Sequence, residues 1–201
     1  MERRQFLKNA LSVLVPGVGV TWLSLRPGSP RAARAAWVRP PGALLEAEFL
    51  ARCIRCQRCA DACPNRAIVA LGVSAGGGME GTPAIQPRRQ ACMLCNRVKG
   101  QYLRCTEACP SGALQPVRKD PEEIQQKVAM GKAVLDKGLC YSYNSWTCGA
   151  CYRACPFPGR AMTLGLWERP EVKAEGCVGC GACERACIRY PQAIRVRPRA
   201  A

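Results

Sequence analysis

The sequence contains no histidine. That absence removes the commonest general base, the usual haem ligand, the histidine pair of a Rieske centre and any histidine-ligated zinc site. No Cys-x-x-Cys is followed by histidine, so c-type haem attachment is excluded too. Aromatic residues are few, with three Phe, four Trp and five Tyr in 201 residues. Acidic residues are also scarce, fourteen against thirty Lys and Arg, for a formal charge of +16. Such a one-sided balance points to an anionic partner. Neither a basic run nor interleaved aromatics supports a nucleic-acid surface.

What is abundant is cysteine. The chain has sixteen, in four groups of four. The first is Cys53-x2-Cys56-x2-Cys59-x3-Cys63-Pro64, and the fourth is Cys177-x2-Cys180-x2-Cys183-x3-Cys187. Both match the run by which bacterial ferredoxins hold [4Fe–4S] clusters. Three cysteines two residues apart let a tight loop wrap three corners of a cube. The fourth is aimed away, at a neighbouring cluster, so motifs work in pairs. The second group is Cys92-x2-Cys95-x9-Cys105-x3-Cys109-Pro110, and the third is Cys140-x7-Cys148-x2-Cys151-x3-Cys155-Pro156. Each has one widened gap. After each last cysteine an Ala and an apolar residue recur: Ala67-Ile68, Ala113-Leu114, Ala161-Met162 and Ala193-Ile194. A short strand returning past each site is expected there, as in Ala67–Val73. Disulfides give no reason for four copies of one pattern, and residues three apart in a tight loop bridge awkwardly. Zinc knuckles do not call for runs holding all four ligands. The sixteen cysteines are therefore read as iron ligands of four [4Fe–4S] clusters, with no catalytic residue and no substrate-converting site.

The chain opens Met1-Glu2-Arg3-Arg4-Gln5-Phe6-Leu7-Lys8, followed by an apolar stretch from Ala10 to Leu25 that Pro16, Gly17 and Gly19 interrupt. A twin-arginine pair in that setting is the mark of a Tat export signal. Ala33-Arg34-Ala35 suits cleavage before Ala36. Residues 1–35 are thus expected to be a signal, and the protein to be periplasmic, at the outer face of the inner membrane. Folded export suits a chain whose thiols would otherwise meet disulfide-forming enzymes. Without residues 1–35 the formal charge is +11. Four clusters of roughly −2 each, counted with their thiolates, lower it to about +3. The anionic partner loses its argument, and no nucleic acid is expected.

Between the motifs, Gly72 to Gln90 reads as a flexible surface loop, with Gly76-Gly77-Gly78 and two prolines. Asp120 to Gly138 reads as a helix. Asp120 suits the N-cap and Pro121 the first turn; Ile124, Val128 and Leu135 share a face, and Gly138 can close it. The arginines of the first motif, Arg52, Arg55, Arg58 and Arg66, are expected to hold the Cys53 cluster at a higher potential than the Cys177 cluster.

Met130-Gly131-x-Ala133-Val134-Leu135-Asp136, the widened third motif and Cys151-Tyr152-Arg153-Ala154-Cys155-Pro156 resemble the NapG/MauM family of ferredoxin-type proteins, the NapG branch above all. The resemblance spans the chain, its opening segment included. It implies an α+β fold of tandem bacterial ferredoxin-like 4Fe-4S modules, with short strands, cluster-binding loops and short helices, over residues 36–201. It also implies electron transfer from a membrane quinol-oxidising iron–sulfur partner, NapH-like, to a periplasmic acceptor such as nitrate reductase. The alternatives are a MauM-type role in methylamine utilisation and an electron-transfer (beta) subunit of a molybdopterin oxidoreductase. Four-cluster relatives of the latter kind imply that motif one pairs with four and two with three. Residues 53–71 and 177–196 would then form one module and 92–162 the other. The ligand sets would be Cys53, Cys56, Cys59 and Cys187; Cys177, Cys180, Cys183 and Cys63; Cys92, Cys95, Cys105 and Cys155; and Cys140, Cys148, Cys151 and Cys109. One departure is Ile188, where proline would follow the last cysteine.

Overall fold

The computed structural model describes residues 37–144 and 146–199. The expected signal, residues 1–35, lies outside them. Among the described residues no helix is long and apolar enough to cross a membrane.

Four of the helices are single turns because each lies inside a cysteine loop that allows little more. The helices are α1 (Glu46–Arg52), α2 (Arg58–Asp61), α3 (Arg104–Glu107), α4 (Pro121–Lys127), α5 (Ala150–Arg153) and α6 (Ala182–Ala186). The strands are β1 (Ile68–Ala70), β2 (Pro83–Ile85), β3 (Gly131–Leu135), β4 (Met162–Leu164), β5 (Pro170–Val172) and β6 (Ile194–Pro198). They pair antiparallel as β1–β2, β3–β6 and β4–β5.

Two modules follow from these pairings, and they repeat one plan. In the second, β4 and β5 form a hairpin between motifs three and four, while β3 before motif three pairs with β6 after motif four. In the first, β1 and β2 form the hairpin between motifs one and two. The segment before motif one pairs with the segment after motif two: Leu44 N–H donates to Ala113 at 3.2 Å, and Gln115 N–H to Gly42 at 2.7 Å. A Cβ on Gly42 would stand 2.3 Å from the Gln115 carbonyl oxygen, so this approach requires glycine. The expected assignment of 53–71 with 177–196, and of 92–162 alone, is therefore overturned. Motifs adjacent in sequence pair, because the chain between them turns back as a short hairpin.

Two further expectations are corrected. The helix begins as read, with Asp120 accepting from the N–H groups of Glu122 and Glu123 at 3.0 and 2.9 Å. It ends at Lys127, however, and Gly131–Leu135 is strand β3. Ala133 faces inward and Lys132 and Val134 outward, the period of two that suits a strand opposite Ile194–Pro198. Gly138 instead follows a turn in which Asp136 accepts from Gly138 and Leu139 N–H. The expected surface loop at 72–90 contains β2, all three of whose residues are buried. Ala84 and Ile85 have apolar neighbours to join across β1, which outweighs the loop-forming glycines before them.

The apolar core is wrapped around the cysteines rather than separate from them. Phe49, Ile68, Ile85, Leu103, Leu114 and Val117 pack with Cys59, Cys95 and Cys105 in the first module. Ala133, Met162 and Ile194 pack with Cys151 and Cys183 in the second. One buried cation fastens the start of the first module. Arg39 pairs with Glu46 at 2.5 Å, donates to Thr82 Oγ1 and the Pro83 carbonyl at 2.9 Å each, and lies 4.8 Å over the Phe49 ring.

Candidate iron–sulfur sites

All sixteen cysteines are free thiols. They gather in fours around four small apolar chambers. One is lined by Cys53, Cys56, Cys59 and Cys109. A second is lined by Cys63, Cys92, Cys95 and Cys105. A third is lined by Cys155, Cys177, Cys180 and Cys183. The fourth is lined by Cys140, Cys148, Cys151 and Cys187. Each encloses a similar, small space of about 20 Å³.

The four sets correct the ligand sets expected from sequence. Each motif does lend its last cysteine to a neighbour, but the exchange runs between motifs one and two and between three and four. Cys109 joins Cys53 instead of Cys140; Cys63 joins Cys92 instead of Cys177. Cys155 joins Cys177 instead of Cys92, and Cys187 joins Cys140 instead of Cys53.

Guest chemistry follows from the donors. Among the described residues no three Cys, Asp or Glu side chains converge closely enough to hold a single metal ion. Four thiols spread around an apolar chamber suit the corners of a cubane, whose bulk lies between the ligands and the centre. Burial raises eight of these thiols: Cys59 and Cys151 are each pushed up to about 11, and Cys180 to about 12. Neighbouring cysteines add to the rise. The thiolates need a cation among them to exist there, which iron provides.

Local backbone conformation opens the loops. The residue before the second cysteine is left-handed in three motifs: Arg55 (φ 58°), Leu94 (φ 52°) and Gly179 (φ 76°). The residue after it is left-handed at Gln57, Gly149 and Gly181, and each of these precedes the one-turn helix that carries the third cysteine. Inward-turned amides accompany that geometry. Cys63 Sγ accepts from Ala67 N–H at 3.3 Å, Cys92 Sγ from Leu94 at 3.4 Å and Cys95 Sγ from Arg104 at 3.4 Å. Cys109 Sγ accepts from Leu114 N–H at 3.5 Å and lies 3.6 Å from the Ser111 hydroxyl. Cys177 Sγ accepts from Ala133 N–H at 3.5 Å. Burial alone would raise Cys109; the bonds from Leu114 and Ser111 outweigh it, and the thiol sits below its usual value. Ser111 and these amides were not singled out in the sequence; for Ala67, Ser111 and Leu114 the available signal was the recurring Cys-Pro-x-x-Ala.

The chambers adjoin one another in turn. Cys105 is raised by burial first, then by Cys95, Cys63 and Cys59, so the Cys53 and Cys92 chambers adjoin. Cys183 is raised by burial first, then by Cys180, Cys177 and Cys151, so the Cys177 and Cys140 chambers adjoin. Between the two modules, Cys92 N–H donates to the Cys180 carbonyl at 2.9 Å. Arg88 reaches across to the carbonyls of Cys187 at 2.8 Å and Arg185 at 3.3 Å. Arg185 returns the contact to the Arg89 carbonyl. Arg199 donates to the Leu44 carbonyl at 2.8 Å. At the far end of the first module, Cys56 is the one exposed cysteine.

Sites of this kind, in two hairpin-joined modules, define a ferredoxin-type protein that binds [4Fe–4S] clusters. Residues 52–113 match a family described as a 4Fe-4S dicluster domain, and residues 146–159 and 174–187 match 4Fe-4S binding domains. The dicluster match covers motifs one and two together, in accord with the pairing seen here. The chain belongs to the family of NapG and MauM ferredoxin-type proteins. It is 38% identical to the methylamine utilization ferredoxin-type protein MauM of Methylophilus methylotrophus, over 98% of this chain and 87% of that one. It is 35% identical to the ferredoxin-type protein NapG of Escherichia coli, over 98% and 85%. With NapG of Haemophilus influenzae the identity is 34%, over 98% and 72%. These identities do not favour the NapG branch over MauM.

Proposed function

We propose that the chain is a periplasmic electron relay with four [4Fe–4S] clusters. The observation that carries the reading is a set of four like, adjoining chambers, each lined by four cysteines. A [4Fe–4S] cluster supplies one-electron storage at a potential set by its surroundings. The chain's own residues do the rest. The sixteen cysteines hold the four groups in order, the apolar walls exclude water, and the amides at Cys63, Cys92, Cys95, Cys109 and Cys177 favour the reduced state. The contact between Cys92 and Cys180 bridges the modules.

Electrons enter from a membrane quinol-oxidising iron–sulfur partner, NapH-like, and leave to a periplasmic acceptor. That acceptor is a reductase such as nitrate reductase, or the electron-transfer chain of methylamine utilisation that the MauM relatives' name carries. The Tat signal at residues 1–35 supports the location, and the absence of histidine supports a carrier without a substrate site of its own.

Iron analysis and redox titration test it. About sixteen irons per chain, and reduction by quinol only when the membrane partner is reconstituted alongside, support the relay. About four zincs per chain, or eight irons with half the chambers never loaded, would sink it.

A further inference from the structure

The Cys140 chamber closes one end of the row, and loops at 136–144 and 146–153, 166–170 and 188–190 enclose it. Tyr141, Cys148, Pro170 and Ile188 all line that chamber. Large apolar side chains exposed in the described residues number nine, and five of them sit on these loops. They are Trp146 (72% exposed), Leu166 (82%), Trp167 (69%), Ile188 (68%) and Tyr190 (83%). Their loops are tied together. Trp146 N–H donates to the Tyr141 carbonyl, Arg189 donates to the Tyr141 hydroxyl at 3.4 Å, and Arg169 lies 5.4 Å over the Tyr143 ring.

Charge on the same loops is basic. Lys137, Arg153, Arg169 and Arg189 stand against Asp136 and Glu168. Both carboxylates are already engaged: Asp136 accepts from Gly138 N–H at 2.9 Å, and Glu168 pairs with Arg153 at 3.1 Å. Lys137, Arg169 and Arg189 remain, each beside a tyrosine ring at 5.1 to 5.4 Å. Tryptophan and tyrosine with a polar edge, next to aliphatic side chains and uncompensated cations, is the composition that settles at the headgroup level of an anionic bilayer. An acidic soluble protein would be matched by the cations but leaves two exposed tryptophans and a leucine without a use.

We propose that the loops around the Cys140 chamber are a bilayer-docking surface that rests on anionic lipid headgroups. The surface turns the Cys140 end of the row toward the membrane and the exposed Cys56 toward the aqueous side. It goes beyond the relay reading and stands whatever protein supplies the electrons.

Hydrogen–deuterium exchange of the full holo-protein, with and without vesicles of phosphatidylglycerol and phosphatidylethanolamine, tests it locally. This readout is insensitive to binding by residues 1–35. Exchange slowed severalfold at 141–149, 166–169 and 188–190, but not at 54–58, is expected. Trp146→Ser with Trp167→Ser should abolish that slowing while leaving the visible [4Fe–4S] absorbance intact. A double variant that loses the absorbance is replaced by Lys137→Gln with Arg169→Gln, for which the slowing should fall severalfold. No slowing in these segments, equal slowing at both ends, or equal slowing with phosphatidylcholine alone overturns the proposal. Slowing that needs a membrane protein in the vesicle overturns it too. Dithionite reduction of the same samples reports on the relay independently.

Discussion

The amide of Cys92 donates to the carbonyl of Cys180 across 2.9 Å, joining a ligand loop of one module to a ligand loop of the other. Close beside it, a Cβ on Gly181 would stand 2.5 Å from Pro87 Cβ, so the modules meet without room for a methyl group. Gly181 also has φ 82°, where a side chain is strained. Gly181→Ala should therefore weaken the junction and slow electron equilibration between the modules, seen by freeze-quench EPR after sub-stoichiometric reduction. Adding Pro87→Gly should restore part of the rate. A double variant no faster than the single one would show that the backbone strain, and not the clash, is at fault.

Ligand exchange between neighbouring motifs has a stoichiometric signature. Replacing two cysteines of one chamber removes no more iron than replacing one. Cys140→Ser with Cys187→Ser should lose about four irons, and Cys53→Ser with Cys187→Ser about eight. Equal losses in the two double variants would refute the sets seen here.

Hydrogen bonds to sulfur differ among the chambers. Ala67, Leu94 and Arg104 N–H reach sulfurs of the Cys92 chamber; Leu114 N–H and Ser111 reach Cys109 of the Cys53 chamber; Ala133 N–H reaches Cys177, and Tyr152 N–H bears on Cys151 of the Cys140 chamber. Each favours the more negative, reduced state. Ser111→Ala should lower the potential of the Cys53 cluster alone. An EPR-monitored titration in which no potential moves would refute this. The arginines of the first motif carry less weight: Arg52 pairs with Glu48 at 2.8 Å, Arg55 is held on the carbonyls of Gly78 and Glu80, and all are exposed to screening solvent.

Arg39 is buried, and its charge is balanced by Glu46. Arg39→Leu removes the cation and leaves the Glu46 carboxylate and the Pro83 carbonyl without their Arg39 bonds. A loss of about 3 kcal/mol is expected for breaking such a pair. Denaturation of the holo-protein by guanidinium should show it; a midpoint unchanged from the parent would mean that Glu46 simply turns to solvent.

Much of the site was legible because cysteine spacing is chemistry written locally. Each loop must present three thiols to one cube, and that fixes residues 53–59 or 177–183 with little help from the rest of the chain. Asp120 was legible for a similar reason, since a cap depends on its own next three residues. The partner of each fourth cysteine was not. Cys63, Cys109, Cys155 and Cys187 end motifs of the same form, and only strand pairing decides where each goes. Strand β3 was missed because Ile124, Val128 and Leu135 fit a helical face, while its true partner, Ile194–Pro198, lies far along the sequence. The two-residue alternation of Lys132 and Val134 against Ala133 was the available clue.

The hairpin-joined plan has a consequence for biogenesis. Because motifs one and two exchange their last cysteines, every thiol of the first two chambers has left the ribosome once Cys109 has emerged. The chain can thus mature in two instalments, the earlier half metallated while the later is still being made. Had the motifs been nested, no chamber of the outer pair could close until Cys187 arrived, and Cys53, Cys56 and Cys59 would wait unprotected for almost the whole of synthesis.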